Sequence, residues 1–210
     1  MSKLIAVLNT VLMVGSPLAV YVGLTRFSAR GVGLLLLALL VPTLVTKFRN
    51  ATREDLWTVL RVPLTIAVLV ASAAVFDDQR LILALPVAIN LALLLHFGSS
   101  LQSTPMVERF ARMQNPDLTP EQVAYCRTVT LVWCGFFVLN AVVSAFLAVA
   151  APLSWWAAYT GLIAYMAIGT LGASEYMIRK YRFREYGDGL HDRMLARLWS
   201  PPQAQEEVRP

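Results

Sequence analysis

Residues 120–150 read PEQVAYCRTVTLVWCGFFVLNAVVSAFLAVA, and Thr119 stands in front of them. Thr119, Pro120, Glu121 and Gln122 form a helix start, a capping hydroxyl with proline at the first helical position and Gln122 placed to complete a capping box. An unbroken helix from Pro120 to Ala150 has 31 residues and is ~46 Å long at 1.5 Å per residue. A bilayer hydrocarbon core is only about 30 Å thick. The first two turns therefore belong in the interface, with Tyr125 and Arg127 at headgroup depth, where an amphipathic ring and a snorkelling guanidinium are both at home.

The rest of the chain agrees with a membrane setting. Of 210 residues, 57% are hydrophobic and 15% charged, against roughly 25% charged in an ordinary soluble domain. Six apolar runs of spanning length are expected, at about 4–24, 31–48, 57–76, 81–101, 128–150 and 153–178. Pro17, Pro42, Pro63 and Pro86 fall inside these runs and are read as kinks, because neighbouring helices re-satisfy a freed carbonyl in a membrane. The first run has a single basic residue, Lys3, a long apolar stretch and no clear A-x-A site, so it is expected to be a retained span rather than a cleaved signal peptide. The fold class is thus an all-α polytopic membrane helical bundle of six transmembrane helices, forming one domain over 1–199 with 200–210 as a disordered end rich in Pro, Gln and Glu.

Basic residues set the orientation. One side collects Lys3, Lys47, Arg49, Arg53, Arg61, Arg109, Arg112, Arg127 and the tail residues Arg179, Lys180, Arg182, Arg184, Arg193, Arg197 and Arg209; the other holds Arg26, Arg30 and Arg80. Both termini are expected in the cytoplasm of a bacterial cell, with the chain in the inner membrane. The net charge of +5 follows from topology and attraction to anionic lipid, with no nucleic-acid partner required.

The 102–127 loop interrupts the apolar pattern with six charged side chains in 106–127. Thr104 and Pro105 read as the start of an interfacial helix over 105–114, with Met106, Phe110 and Met113 as an apolar stripe and Glu108 and Arg112 paired four residues apart. Pro116 closes it. An amphipathic tail over 179–199 alternates aromatic and basic residues, breaks at Gly187-Asp188-Gly189 and resumes with Leu190, Met194 or Leu195, and Leu198 on one side.

Cys126 and Cys134 lie eight apart with no metal-ligand spacing and are read as inert reduced thiols; no metal and no cofactor is expected. The sequence contains no GxGxxG, Walker loop, H-E-x-x-H or G-x-S-x-G. Polar residues within spans are the default functional candidates. Arg61, His96 and Glu175 fall near one leaflet, and with Glu108, Arg112 and Arg127 they make a polar rim over an apolar bundle. Such a shape suits a ligand with a charged head and an apolar tail. Each residue also has a plain structural reading: Arg61 snorkels, Glu175 pairs with Arg179, and His96 packs with a hydrogen bond. Asn90 and Asn140 stand at similar depth and are expected to form an interhelical hydrogen bond of about 1 kcal/mol.

The segments TPMVERFARMQNPDLTPEQVAYCRTVTLVWCGFFVLNA (104–141) and SEYMIRKYRFREYGDGLHDR (174–193) resemble a family of small uncharacterised bacterial inner-membrane proteins found beside fatty-acid-synthase-like genes for aryl polyene pigments, sometimes labelled ketosynthase. Ketosynthase chemistry resembles a soluble thiolase-type fold with a nucleophilic Cys and two His. Here two Cys sit in an apolar helix and His96 and His191 lie on different elements, so that activity is not carried over. The resemblance implies a non-catalytic membrane component of a lipid, acyl or polyene biosynthetic system. It would anchor or hand on acyl intermediates, with membrane lipids and an acyl carrier protein or other biosynthetic enzymes as partners. Lipid headgroups or the acidic carrier would meet Arg61, His96, Glu108, Arg112, Arg127, Glu175, Arg179, Lys180, Arg182 and Arg184. The alternative is a membrane enzyme with His96 as general base on an acyl or lipid-linked substrate. A small transporter is a weaker one, as no midplane charge or inverted repeat is visible.

Overall fold

The computed structural model describes residues 19–50 and 56–183, with the side chains of 39, 42–44, 46–50, 56–63 and 114 outside the described set. Most of the first expected span, the side chains of Trp57 and Arg61, and the chain from Arg184 onward therefore lie outside the described residues. Among the described residues all regular structure is helical. A helical stretch at 19–26 leads into α1 (Ala29–Asn50) and α2 (Leu56–Phe76). Next come α3 (Gln79–Leu83), α4 (Leu85–Ser100), α5 (Met106–Gln114) and α6 (Pro120–Ala150). The last arm is α7 (Leu153–Ala158), a π-helical turn (Tyr159–Ile163) and α8 (Ala164–Phe183). Two helical stretches, Gln79–Ser100 and Pro120–Ala150, are long and apolar enough to cross a membrane.

α6 is the axis of the fold. It runs unbroken for 31 residues, and its capping box is formed in full: Thr119 Oγ1 accepts from the Gln122 N–H at 3.3 Å while Gln122 Oε1 accepts from the Thr119 N–H at 2.8 Å. One end packs into a cluster of Val107, Ala111, Cys126 and Val129. At the other end, Leu147 and Ala148 lie against a second cluster built on Val32, Ala73, Ile82, Leu83 and Trp156. α1 and α2 complete that second cluster by a close crossing at Gly33, where a Cβ would stand 3.0 Å from Ala74 Cβ and 3.1 Å from Val70 O. Arg30 fastens the same crossing, its N–H donating to Asp77 Oδ1 at 2.7 Å and its Nε to Ala74 O at 3.2 Å.

Between the two clusters lies a polar link. Asn140 Nδ2 donates to Asn90 Oδ1 at 3.0 Å, Tyr159 Oη donates to Asn140 Oδ1 at 2.7 Å, and Asn90 Nδ2 donates to Pro86 O at 2.8 Å. The expected Asn90–Asn140 bond is thus present and is extended to the last helical arm by Tyr159. Thr130, Ser144 and Thr160 are buried as well, while large apolar side chains such as Phe76, Leu95, Phe146 and Val149 face outward, Val149 at 90% exposure. The interior thus combines apolar clusters with buried polar groups, and many large apolar side chains among the described residues face outward.

Four local expectations need correction. Pro86 is more than a kink: Ala84 separates α3 from α4, and Ala84 N–H to Arg80 O (2.9 Å) and Ala88 N–H to Ala84 O (3.0 Å) carry the backbone across. The cause is the missing proline N–H. Thr104 does not cap α5; Pro105 holds the N-cap position, and two hydroxyls from neighbouring helices serve its first donors, Ser100 Oγ to Met106 N–H at 2.9 Å and Thr130 Oγ1 to Val107 N–H at 3.4 Å. The stripe of Met106, Phe110 and Met113 is split, with Met106 buried beside Val107 and Ala111 while Phe110 is 51% and Met113 74% exposed. Trp156, which its place near the start of the 153–178 run would set at an interface beside Trp155, is instead buried in the second cluster, and its Nε1 donates to Leu83 O at 3.2 Å, so the indole donor is satisfied inside.

Candidate functional site

A cavity of 540 Å³ opens between α4, α5, α6 and α8. Its deep wall is aromatic. Phe97 on α4 stacks edge-on to Phe137 at 5.1 Å, and Trp133 lies 5.7 Å from Phe137 and 6.4 Å from Phe97. Trp133 and Phe137 are one helical turn apart on α6, and Tyr125 lies two turns before Trp133 on the same face, so one helix face supplies these three rings. α5 closes a side with Val107, Phe110 and Ala111, and α8 contributes Ile168, Tyr176 and Phe183.

The charged groups gather on the last turns of α8. Glu175, Arg179 and Lys180 all line the cavity. Arg179 Nε donates to Glu175 Oε1 at 2.8 Å, an i,i+4 pair on the cavity side of the helix. Lys180 Nζ stands 5.5 Å over the Tyr176 ring. Arg182 lies 5.9 Å over the Tyr125 ring and 5.7 Å over Phe183, whose rings meet edge to face at 5.4 Å, and Tyr125 Oη donates to Glu175 O at 3.4 Å. These contacts tie α8 to the first turns of α6. Burial foremost, and then the Glu175 carboxylate, push the Tyr125 hydroxyl above the usual phenol range, with Arg179 and Arg182 opposing, so it remains a neutral donor. Burial likewise pushes the Cys126 thiol up and keeps the group that faces the cavity protonated.

The expected rim separates into two groups. Glu175, Arg179 and Lys180 meet at the cavity, with Arg182 on its aromatic edge. Glu108, Arg112 and Arg127 do not line it and act as braces. Arg112 Nε donates to Glu108 Oε1 at 2.8 Å and its Nη1 to Pro116 O at 3.0 Å, which joins α5 to the turn that follows it. Arg127 Nη1 donates to Leu101 O at 2.8 Å and ties α6 to the end of α4. His96 also does not line the cavity; its carbonyl accepts from Ser99 Oγ at 3.1 Å. Arg184 and the Arg61 side chain lie outside the described residues.

Phe97, Trp133, Phe137 and Phe183 are the site residues that the sequence reading does not single out. A signal exists in the aromatic 133–137 step on α6, but a span that is apolar on every side gives no reason to prefer one face. Among the described residues no group of three His, Cys, Asp or Glu is placed to hold a metal. No family model, curated protein or solved structure matches this chain.

Proposed function

We propose that the chain is a six-span membrane protein with both termini cytoplasmic, set in a bacterial inner membrane. In this reading it is non-catalytic and receives an apolar chain in the cavity between α4, α5, α6 and α8. The observation that carries this reading is the pairing of an aromatic, apolar wall with charged side chains on α8 in one cavity, the usual division of labour in a small-molecule site. The membrane setting is supported by the outward-facing apolar side chains and by the polar groups held inside, an arrangement that would be costly in water. With the resemblance stated above, the occupant is an acyl or polyene intermediate, received from or passed to an acidic acyl carrier protein that meets the basic end of α8.

The enzyme reading is the weaker one here because His96 stands off the cavity. The protein purified in detergent should therefore retain chain-bearing lipid detectable by mass spectrometry, and it should capture acyl carrier protein from cytosol. His96→Ala should leave both unchanged. A preparation that holds only bulk phospholipid and captures no carrier refutes the proposal.

A further inference from the structure

Resting on the reading of the cavity as an apolar-chain site, we infer that its ligand is a single-chain amphiphile with one anionic oxygen head, and that the head is bound by Arg179 and Lys180 with Glu175 as an internal competitor. Size comes first. The acyl or polyene occupant proposed above is one chain, and a cavity of 540 Å³ has room for it.

Charge narrows the head. Two cations, Arg179 and Lys180, and one carboxylate, Glu175, line the cavity, a net of one positive charge. Tyr125, which also lines the cavity, stays neutral and donates to the Glu175 carbonyl. A head carrying one negative charge balances the mouth, whereas a zwitterion or a neutral head does not. Geometry supplies the recognition device. Arg179 directs Nε and Nη2 at the same oxygen of Glu175, and a guanidinium has five N–H donors, so a second anion can share the group or displace Glu175 from it. Glu175 is thus a positioning residue: it holds the guanidinium against the cavity and competes with an anionic head for it, a competition that a neutral head does not enter.

Trp133 on the cavity wall makes the test direct. Full-length protein in lipid nanodiscs would be titrated with a brominated long-chain carboxylate, its methyl ester and a brominated diacyl phosphatidylglycerol. Quenching at Trp133 is read as the difference between the wild type and Trp133→Phe. The carboxylate should bind at least about tenfold more tightly than the ester, the scale of one charge-assisted hydrogen bond. Arg179→Gln should erase that preference while ester binding persists, which shows the fold intact; Lys180→Gln should reduce it; Glu175→Gln should raise carboxylate affinity and leave the ester unchanged. Equal binding of carboxylate and ester, or a preference untouched by Arg179→Gln, overturns the head assignment and leaves the chain site standing. Phosphatidylglycerol quenching as strongly as the carboxylate overturns the single-chain assignment. Absence of quenching by all three probes refutes the chain site itself.

Discussion

Replacing Asn140 by Leu tests whether the buried polar link holds the bundle together. Asn140 donates to Asn90 Oδ1 at 3.0 Å and accepts from Tyr159 Oη at 2.7 Å, so one substitution removes both bonds that join α4 and the last helical arm through α6. Interhelical hydrogen bonds in membranes average about 0.6 kcal/mol and reach about 1.7. Two such bonds, in a site that is almost fully buried, place Asn140→Leu at roughly 1.2–3.4 kcal/mol of destabilisation on that scale. Tyr159→Phe removes one bond and should cost about 0.6–1.7 kcal/mol. The decisive variant is the double one. With Asn140 absent the Tyr159 hydroxyl has lost the partner seen here, so Asn140→Leu with Tyr159→Phe should be no less stable than Asn140→Leu alone, and the coupling should equal the Tyr159→Phe cost. Reversible unfolding in mixed micelles of increasing dodecyl sulfate, followed by helical circular dichroism, measures all four corners of the cycle. Fully additive effects would show that the two side chains do not act through each other and would refute the link as a shared element.

Further outcomes bear on other parts of the fold. Gly33→Ala should destabilise by about 1–3 kcal/mol, because the new Cβ meets Ala74 and Val70 at 3.0–3.1 Å, whereas Gly135→Ala, with nothing within 4 Å, should be neutral or mildly stabilising in the same micelle titration. Ser100→Ala should loosen the start of α5 by about 1 kcal/mol, seen as faster amide exchange at Met106 and Val107, since it removes the acceptor of the Met106 N–H. Cys126 should alkylate slowly near neutral pH and faster as pH rises past the usual thiol range, because burial raises its folded pKa. The sign for stability follows: the unfolded thiol ionises first, so the contribution present below the unfolded pKa is lost as pH rises through the folded one.

The sequence is explicit where a feature depends on neighbours along the chain. The capping box at Thr119 and Gln122, the unbroken run to Ala150 and the Glu108–Arg112 and Glu175–Arg179 pairs are all i,i+3 or i,i+4 relations, and all are found in the structure. The Asn90–Asn140 bond was also legible, although it joins residues 50 apart, because a polar amide in an apolar run has few ways to be satisfied. What the chain conceals is the direction of apolar side chains. Trp133, Phe136 and Phe137 fall within five residues of one another, yet Trp133 and Phe137 line the cavity and Phe136 does not. Choosing among them requires the placement of α4 and α8. The capping of α5 was misread for the same reason, since its acceptors Ser100 and Thr130 come from other helices.

A division of labour among the charged residues follows from these contacts. A cation that braces one helix against its neighbour is best tied to a backbone carbonyl, as Arg127 is to Leu101 and Arg112 to Pro116, because a carbonyl neither titrates nor leaves. A cation that must answer a ligand is better paired with a group the ligand can replace, and Arg179 on Glu175 has that character. A ligand carboxylate that takes the place of Glu175 at this guanidinium sheds its own hydration, and the balance of that exchange sets the affinity. The same reasoning explains why neutralising Arg112 or Arg127 should lower stability with little change in chain selectivity, while neutralising Arg179 should do the reverse. Measuring the micelle unfolding midpoint and the carboxylate-to-ester preference on the same three variants separates the two roles, and an Arg112→Gln protein that is fully stable but unselective would reverse this assignment.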